Sequence, residues 1–164
     1  KKIKQKKRMF TCGNGGSASV SNHFLCDYNK SIKELSKNKI KPRVISLSNS
    51  IENITAISND LNFNKIFSEQ LDNFCEKGDC LIALSCSGKS TNITKVLAHA
   101  KKRGVVTILI TGFLNKKKIK NCDLHLNVNI NNYGISEDVF QILMHIMSQY
   151  IRYKQKNLSL NKIF

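Results

Sequence analysis

The sequence predicts a doubly wound α/β fold, a mostly parallel five-stranded sheet flanked by helices, and three observations carry that expectation. Short β-branched runs alternate with segments of helical periodicity, and strands joined by helical crossovers pair in parallel and are covered on both faces. The most apolar run, Cys80-Leu81-Ile82-Ala83-Leu84, lacks polar alternation, as a strand buried on both sides requires. Two strand-to-helix junctions, Cys12-Gly13-Asn14-Gly15-Gly16-Ser17 and Leu84-Ser85-Cys86-Ser87-Gly88-Lys89-Ser90, are rich in glycine or hydroxyls. In such sheets ligands bind beyond the carboxyl ends of the strands, where both junctions fall.

The elements follow in order. A first strand is expected over residues 8–12, then a helix over 17–36 with Ser17 as N-cap. Beyond Pro42, Val44-Ile45-Ser46-Leu47 reads as a second strand. Helices over 50–58 and 64–75 follow, the second with Ile66, Phe67, Leu71 and Phe74 at helical spacing. Lys77-Gly78-Asp79 turns the chain into the buried strand, and a helix over 90–103 is stopped by Gly104 in the C′ position. Strands over 105–110 and 123–128 precede a last helix running to about residue 155. Ser136 is its expected N-cap, with Glu137 and Asp138 in the first turn.

A chain of 164 residues with 41% hydrophobic residues suffices for one core, so residues 1–164 are read as a single domain. Its charge of +16, from 27 Lys and Arg against 11 Asp and Glu, raises nucleic acid as a partner. The lysines are scattered, however, and cluster only at residues 1–8 and at Lys116-Lys117-Lys118. Neither a helix-turn-helix nor aromatic–basic interleaving accompanies them, so nucleic acid is not the expected partner. The six cysteines include no Cys-x-x-Cys pair and are expected as reduced thiols of a cytoplasmic protein. No apolar run reaches transmembrane length and no signal peptide is visible; the abrupt start suggests a segment upstream.

A glycine turn brings the main chain close to a ligand, and a helix N-terminus offers N–H groups and a positive dipole end to an anion. Ser85, Ser87 and Ser90 add three hydroxyls able to surround a phosphate monoester. Helix capping alone accounts for Ser90, and a plain turn accounts for the glycines, but neither accounts for Ser85 and Ser87 together. The glycine turn lacks the Gly-x-Gly-x-x-Gly spacing, and Gly88-Lys89-Ser90 is only the tail of a Walker loop, so no nucleotide cofactor is expected. Cys86 has no histidine base beside it in sequence, and His99 and His125 lack acidic sequence neighbours; no covalent catalysis is expected.

Residues 12–27, Ile57-Ser58-Asn59-Asp60, the serine turn, residues 107–112 and residues 137–145 together resemble the sugar isomerase (SIS) domain, and within it the phosphoheptose isomerase group. The resemblance runs from about residue 8 to residue 153; the N-terminal helix of that family has no counterpart in this sequence. It implies isomerisation of sedoheptulose 7-phosphate to a heptose 7-phosphate for lipopolysaccharide or capsule precursors. It places substrate contacts at Asn14, Gly15, Ser17, Asp60, Ser85, Cys86, Ser87, Ser90 and Glu137. Its proton-transfer pair falls on Asp27 and His145, and an enediol route needs one such base and one such acid. Some members hold zinc, and the matching positions are His23, Asp27, Glu137 and His145. His23 and Asp27 lie one helical turn apart and Glu137 and His145 two, so each pair can share a face. Three positions depart from the family pattern: Asp27 stands for a glutamate, Lys89 for an asparagine and Gly134 for an acidic residue. The resemblance also implies a homodimer or homotetramer, to which Val139, Ile142, Leu143, Ile146, Met147 and Ile151 would offer apolar surface. A non-catalytic SIS module that senses a sugar phosphate or serves as an assembly adaptor is the alternative.

Overall fold

The computed structural model describes residues 2–37, 39–114 and 119–156. The basic run 116–118 therefore lies outside the described residues, as does Lys1. Five strands form one parallel sheet in the order β2-β1-β3-β4-β5: β1 (Met9–Cys12), β2 (Val44–Ser46), β3 (Cys80–Ser85), β4 (Val106–Thr111) and β5 (Leu124–Asn127). The register sets Met9 against both Val44 and Cys80, Cys80 against Val106, and Ile108 against Leu124. The helices are α1 (Gly16–Cys26), continued by a π-helical stretch (Asp27–Ile32) and by α2 (Lys33–Leu35), then α3 (Ile51–Asp60), α4 (Ile66–Phe74), α5 (Thr91–Lys102) and α6 (Tyr133–Lys156). None of the described helices is long and apolar enough to cross a membrane.

Period-2 alternation sends β3 into two cores. Leu81 and Ala83 face α4 and α5 beside Phe67, Leu71, Val96 and Leu97, while Cys80, Ile82 and Leu84 face α1 and α6 beside Phe24, Tyr28, Phe140 and Met144. Burial pushes the Cys80 thiol up to about 11 and raises those of Cys12 and Cys86 as well. Cys12, Cys26, Cys75, Cys80 and Cys86 are free thiols.

Helix ends follow the expected chemistry in some places and depart from it in others. Gly104, at φ 70°, ends α5: its N–H donates to the Lys101 carbonyl while that of Val105 reaches Ala100, the paired bonds of a Schellman turn. Ser50 caps α3 by accepting the Asn53 N–H. Ser17 is not the cap of α1; Gly15 occupies that place with φ 55°, and Ser17 is buried one position inside the helix. Ser136 is likewise inside α6, fully buried and donating to the Ile130 carbonyl, because the helix starts a turn earlier, where the Asn132 side chain accepts the Ile135 N–H. Phe74, expected in the core face of α4, is 49% exposed. His99 does find an acid, Asp72 at 2.8 Å, brought alongside from α4.

The order 2-1-3-4-5 reverses direction between β1 and β3, and the crevice at that switch point lies outside their carboxyl ends. Both glycine- and serine-rich turns open there.

Candidate active site

A cavity of about 380 Å³ sits at the switch point. Asn14, Gly15, Gly16 and Ser17 line one side, Ser85, Cys86, Ser87 and Ser90 the other, and Tyr133 and Glu137 of α6 close it. The serine turn is held from within. The Ser85 hydroxyl accepts the Gly88 N–H at 3.2 Å and lies 3.4 Å from the Ser90 hydroxyl, and Ser87 accepts the Lys89 N–H at 3.2 Å. The glycine turn is tied to it by Asn14 and Asn92, whose side-chain amides exchange hydrogen bonds of 3.0 and 2.8 Å. Lys89 is exposed and does not line the cavity.

The two helices that start at this cavity, α1 and α5, have no side-chain cap; of those that start elsewhere, α3 is capped by Ser50 and α4 has no side-chain cap. First-turn N–H groups need partners, and an anion in the cavity would supply them for both helices at once. The Glu137 carboxylate stands over this seat, accepting the Ser17 hydroxyl at 3.1 Å and packed so close to Gly16 that a Cβ there would lie 2.0 Å from it. Gly16 is required for that approach. The neighbouring Cys86 thiol is held above its ordinary value, first by burial and then by the Glu137 charge.

Farther along α1 and α6, His23 and Asp27 of the α1 side meet His145 of α6. The two Nε2 atoms are 3.0 Å apart, and Asp27 oxygens lie 3.6 Å from His23 and 3.7 Å from His145. The three can offer ligand atoms that all fall within 4.8 Å of one another. Asp27 opens the π-helical stretch, which places it one turn from His23; its carboxylate also accepts the Ser148 hydroxyl at 3.3 Å. Two imidazole nitrogens facing each other beside a carboxylate suit a divalent ion such as Zn²⁺, whose tetrahedral ligands at about 2.0–2.2 Å stand at comparable separations.

Glu137 does not join this group. Its carboxylate is committed to Gly16 and Ser17, and Gln141, one turn closer, takes its place with Nε2 2.9 Å from the His145 ring. Asp60 is also outside the cavity, exposed at the end of α3 and bonded to the Asn59 amide. Sequence reasoning passed over Gln141, Asn92, Tyr133 and the close approach at Gly16. Gln141 was findable, lying four residues before His145 on one face; the others depend on contacts between distant segments.

A SIS domain family model matches residues 1–112. Phosphoheptose isomerases of Nitratiruptor sp. and Campylobacter concisus are 33% and 32% identical to the chain, covering 91% and 90% of it and 78% and 76% of their own lengths. The structure of a phosphoheptose isomerase from Neisseria gonorrhoeae superposes with a TM-score of 0.80 at 28% identity, over 91% of this chain and 78% of that one. The anion-ready cavity at the switch point and these likenesses agree, and the chain belongs to the SIS domain family, in its phosphoheptose isomerase group.

Proposed function

We propose that the chain isomerises sedoheptulose 7-phosphate to an aldose heptose 7-phosphate through an enediol. The observation that carries this reading is the pair of uncapped helix starts closing on one cavity, with a proton-transfer cluster on the same α1–α6 seam. The phosphate takes the seat among Ser85, Ser87, Ser90 and the first turns of α1 and α5. From Glu137 to His145 the helix rises about 12 Å, a span suited to a seven-carbon chain lying along the seam and too long for a triose. Asp27 removes a proton at C1 and, after exchange with solvent, delivers one at C2, while His145 moves a proton between O1 and O2, so no atom is gained or lost. An aspartate in place of the family's glutamate reaches one methylene less; the Ser148 hydroxyl and both imidazoles fix where it stands.

His23, Asp27 and His145, with Gln141 beside them, would hold zinc, which when bound supplies a positive charge able to polarise oxygens of the substrate. The chain is also inferred to self-associate. Ile135, Ile142, Ile146 and Tyr150 are each more than half exposed at heptad-like spacing on α6, while Leu143, Met147 and Ile151 pack into the core. Because Asp60 lies outside the cavity, a contact from it to sugar hydroxyls needs a second copy of the chain.

The test is conversion in D₂O followed by NMR. Formation of an aldose heptose phosphate carrying deuterium at C2 is expected; no conversion by the intact oligomer would overturn the assignment and leave a sugar-phosphate-binding module.

A further inference from the structure

At the opposite edge of the sheet, beside the amino ends of β1 and β2, lies a second and larger cavity of about 670 Å³. Its rim carries Lys4, Lys6, Lys39, Lys41 and Arg43, and among the described residues no carboxylate lines it. None of these five cations is in an ion pair among the described residues, whereas Lys101, Arg103 and Arg8 elsewhere on the surface each have an acidic partner. The floor is apolar, made by Ile3 and Ile40, both packed against the α1–α6 side of the core.

Both walls are fixed before any ligand arrives. The N-terminal wall is a tight turn closed by Lys6 N–H to the Ile3 carbonyl at 3.0 Å and Lys7 N–H to the Lys2 carbonyl at 3.2 Å. It is pinned to the body by the Lys2 and Lys7 ammonium groups, which donate to the Gly78 and Lys77 carbonyls at 2.7 and 2.9 Å. Within it Lys6 holds a left-handed backbone, φ 56°, a conformation that disfavours a residue with a Cβ. The facing wall is clasped by Ser36, whose hydroxyl donates to the Lys33 and Ile40 carbonyls and accepts the Ile40 N–H. Five like charges converging on one concavity raise each other's electrostatic energy, and a multiply charged anion relieves that repulsion at every one of them.

We propose that this cavity binds a small anion bearing two or more linked phosphates, with room on the isoleucine floor for an attached ring. Linked phosphates match the several separate cations better than the single phosphate held at the serine turn, and the concave shape favours a small ligand over a nucleic-acid duplex. Inorganic triphosphate and ATP share the required chemistry, and comparing them shows whether the apolar floor contributes.

Isothermal titration of the purified full chain with orthophosphate, inorganic triphosphate, ATP and a short DNA duplex tests the assignment. Triphosphate or ATP is expected to bind at least about tenfold more tightly than orthophosphate, with affinity falling as salt rises. The double variant Lys41→Glu/Arg43→Glu should abolish that preference. The milder Lys41→Gln/Arg43→Gln should weaken it while leaving the melting temperature unchanged. Lys95→Glu/Lys102→Glu, an equal change of charge on α5 across the sheet, should leave it intact. Equal binding of mono- and triphosphate, equal loss in the α5 variant, or a response to the duplex alone would each overturn the proposal.

Discussion

The anion cradle and the His–Asp cluster share two helices but are assembled in different ways. The cradle takes most of its polar atoms from two short turns whose hydrogen bonds are local: Ser85 to Gly88, Ser87 to Lys89, and Gly15 at the start of α1. The cluster joins residues 122 positions apart, and its geometry exists only because α1 and α6 pack side by side on one face of the sheet. On the proposed function, ground-state binding would be carried by turn chemistry and proton transfer by tertiary packing, so each should be separable from the other by mutation.

The largest expected effect sharpens the cluster side. His23→Ala should weaken Zn²⁺ binding, measured by competition with a chromophoric chelator, by more than the ~10–100-fold typical of losing an outer partner. Orthophosphate affinity should not move. On the cradle side, Ser85→Ala removes a hydroxyl that both faces the phosphate seat and receives the Gly88 N–H. A loss of about 2 kcal/mol in orthophosphate binding, roughly thirtyfold, is expected by calorimetry, with zinc affinity unaltered. Parallel loss of zinc and phosphate in either variant would break the separation.

The comparison also explains what the sequence disclosed. The positions of the five strands, the placement of both turns at strand carboxyl ends and the serine turn followed from apolar runs and turn residues that act within a few positions, whereas the order 2-1-3-4-5 is set by pairing between distant segments. Ser17 and Ser136 were misplaced as caps because a serine near a helix start is equally suited to being buried just inside the first turn when another acceptor exists, here Glu137 and the Ile130 carbonyl. Phe74 belongs to the apolar pattern of α4 and still ends up exposed, since periodicity gives a face but not where the covering element stops. The Glu137 side chain turned toward Gly16 rather than toward the histidines, a choice set by a residue lacking Cβ some 120 positions away.

The smallest effect concerns pH. Because burial and the Glu137 charge raise the Cys86 thiol, it should ionise at higher pH than an ordinary thiol. Orthophosphate affinity between pH 7.5 and 9 should therefore show no inflection from Cys86. Alkylation with iodoacetamide at pH 8, followed by peptide mass spectrometry, should label exposed Cys26 well before Cys86. Preferential labelling of Cys86 would mean that the cradle holds a thiolate and that its charge has been misjudged.

The central claim is that Asp27 and His145 act on protons while the turns hold phosphate. It is tested most directly by measuring turnover of sedoheptulose 7-phosphate and binding of orthophosphate on the same preparations of wild type, Asp27→Asn and His145→Gln. Both variants should lose about 10²–10⁴-fold in turnover and retain wild-type phosphate affinity. Wild-type turnover in His145→Gln, or a loss of turnover matched by an equal loss of phosphate affinity, would contradict the account.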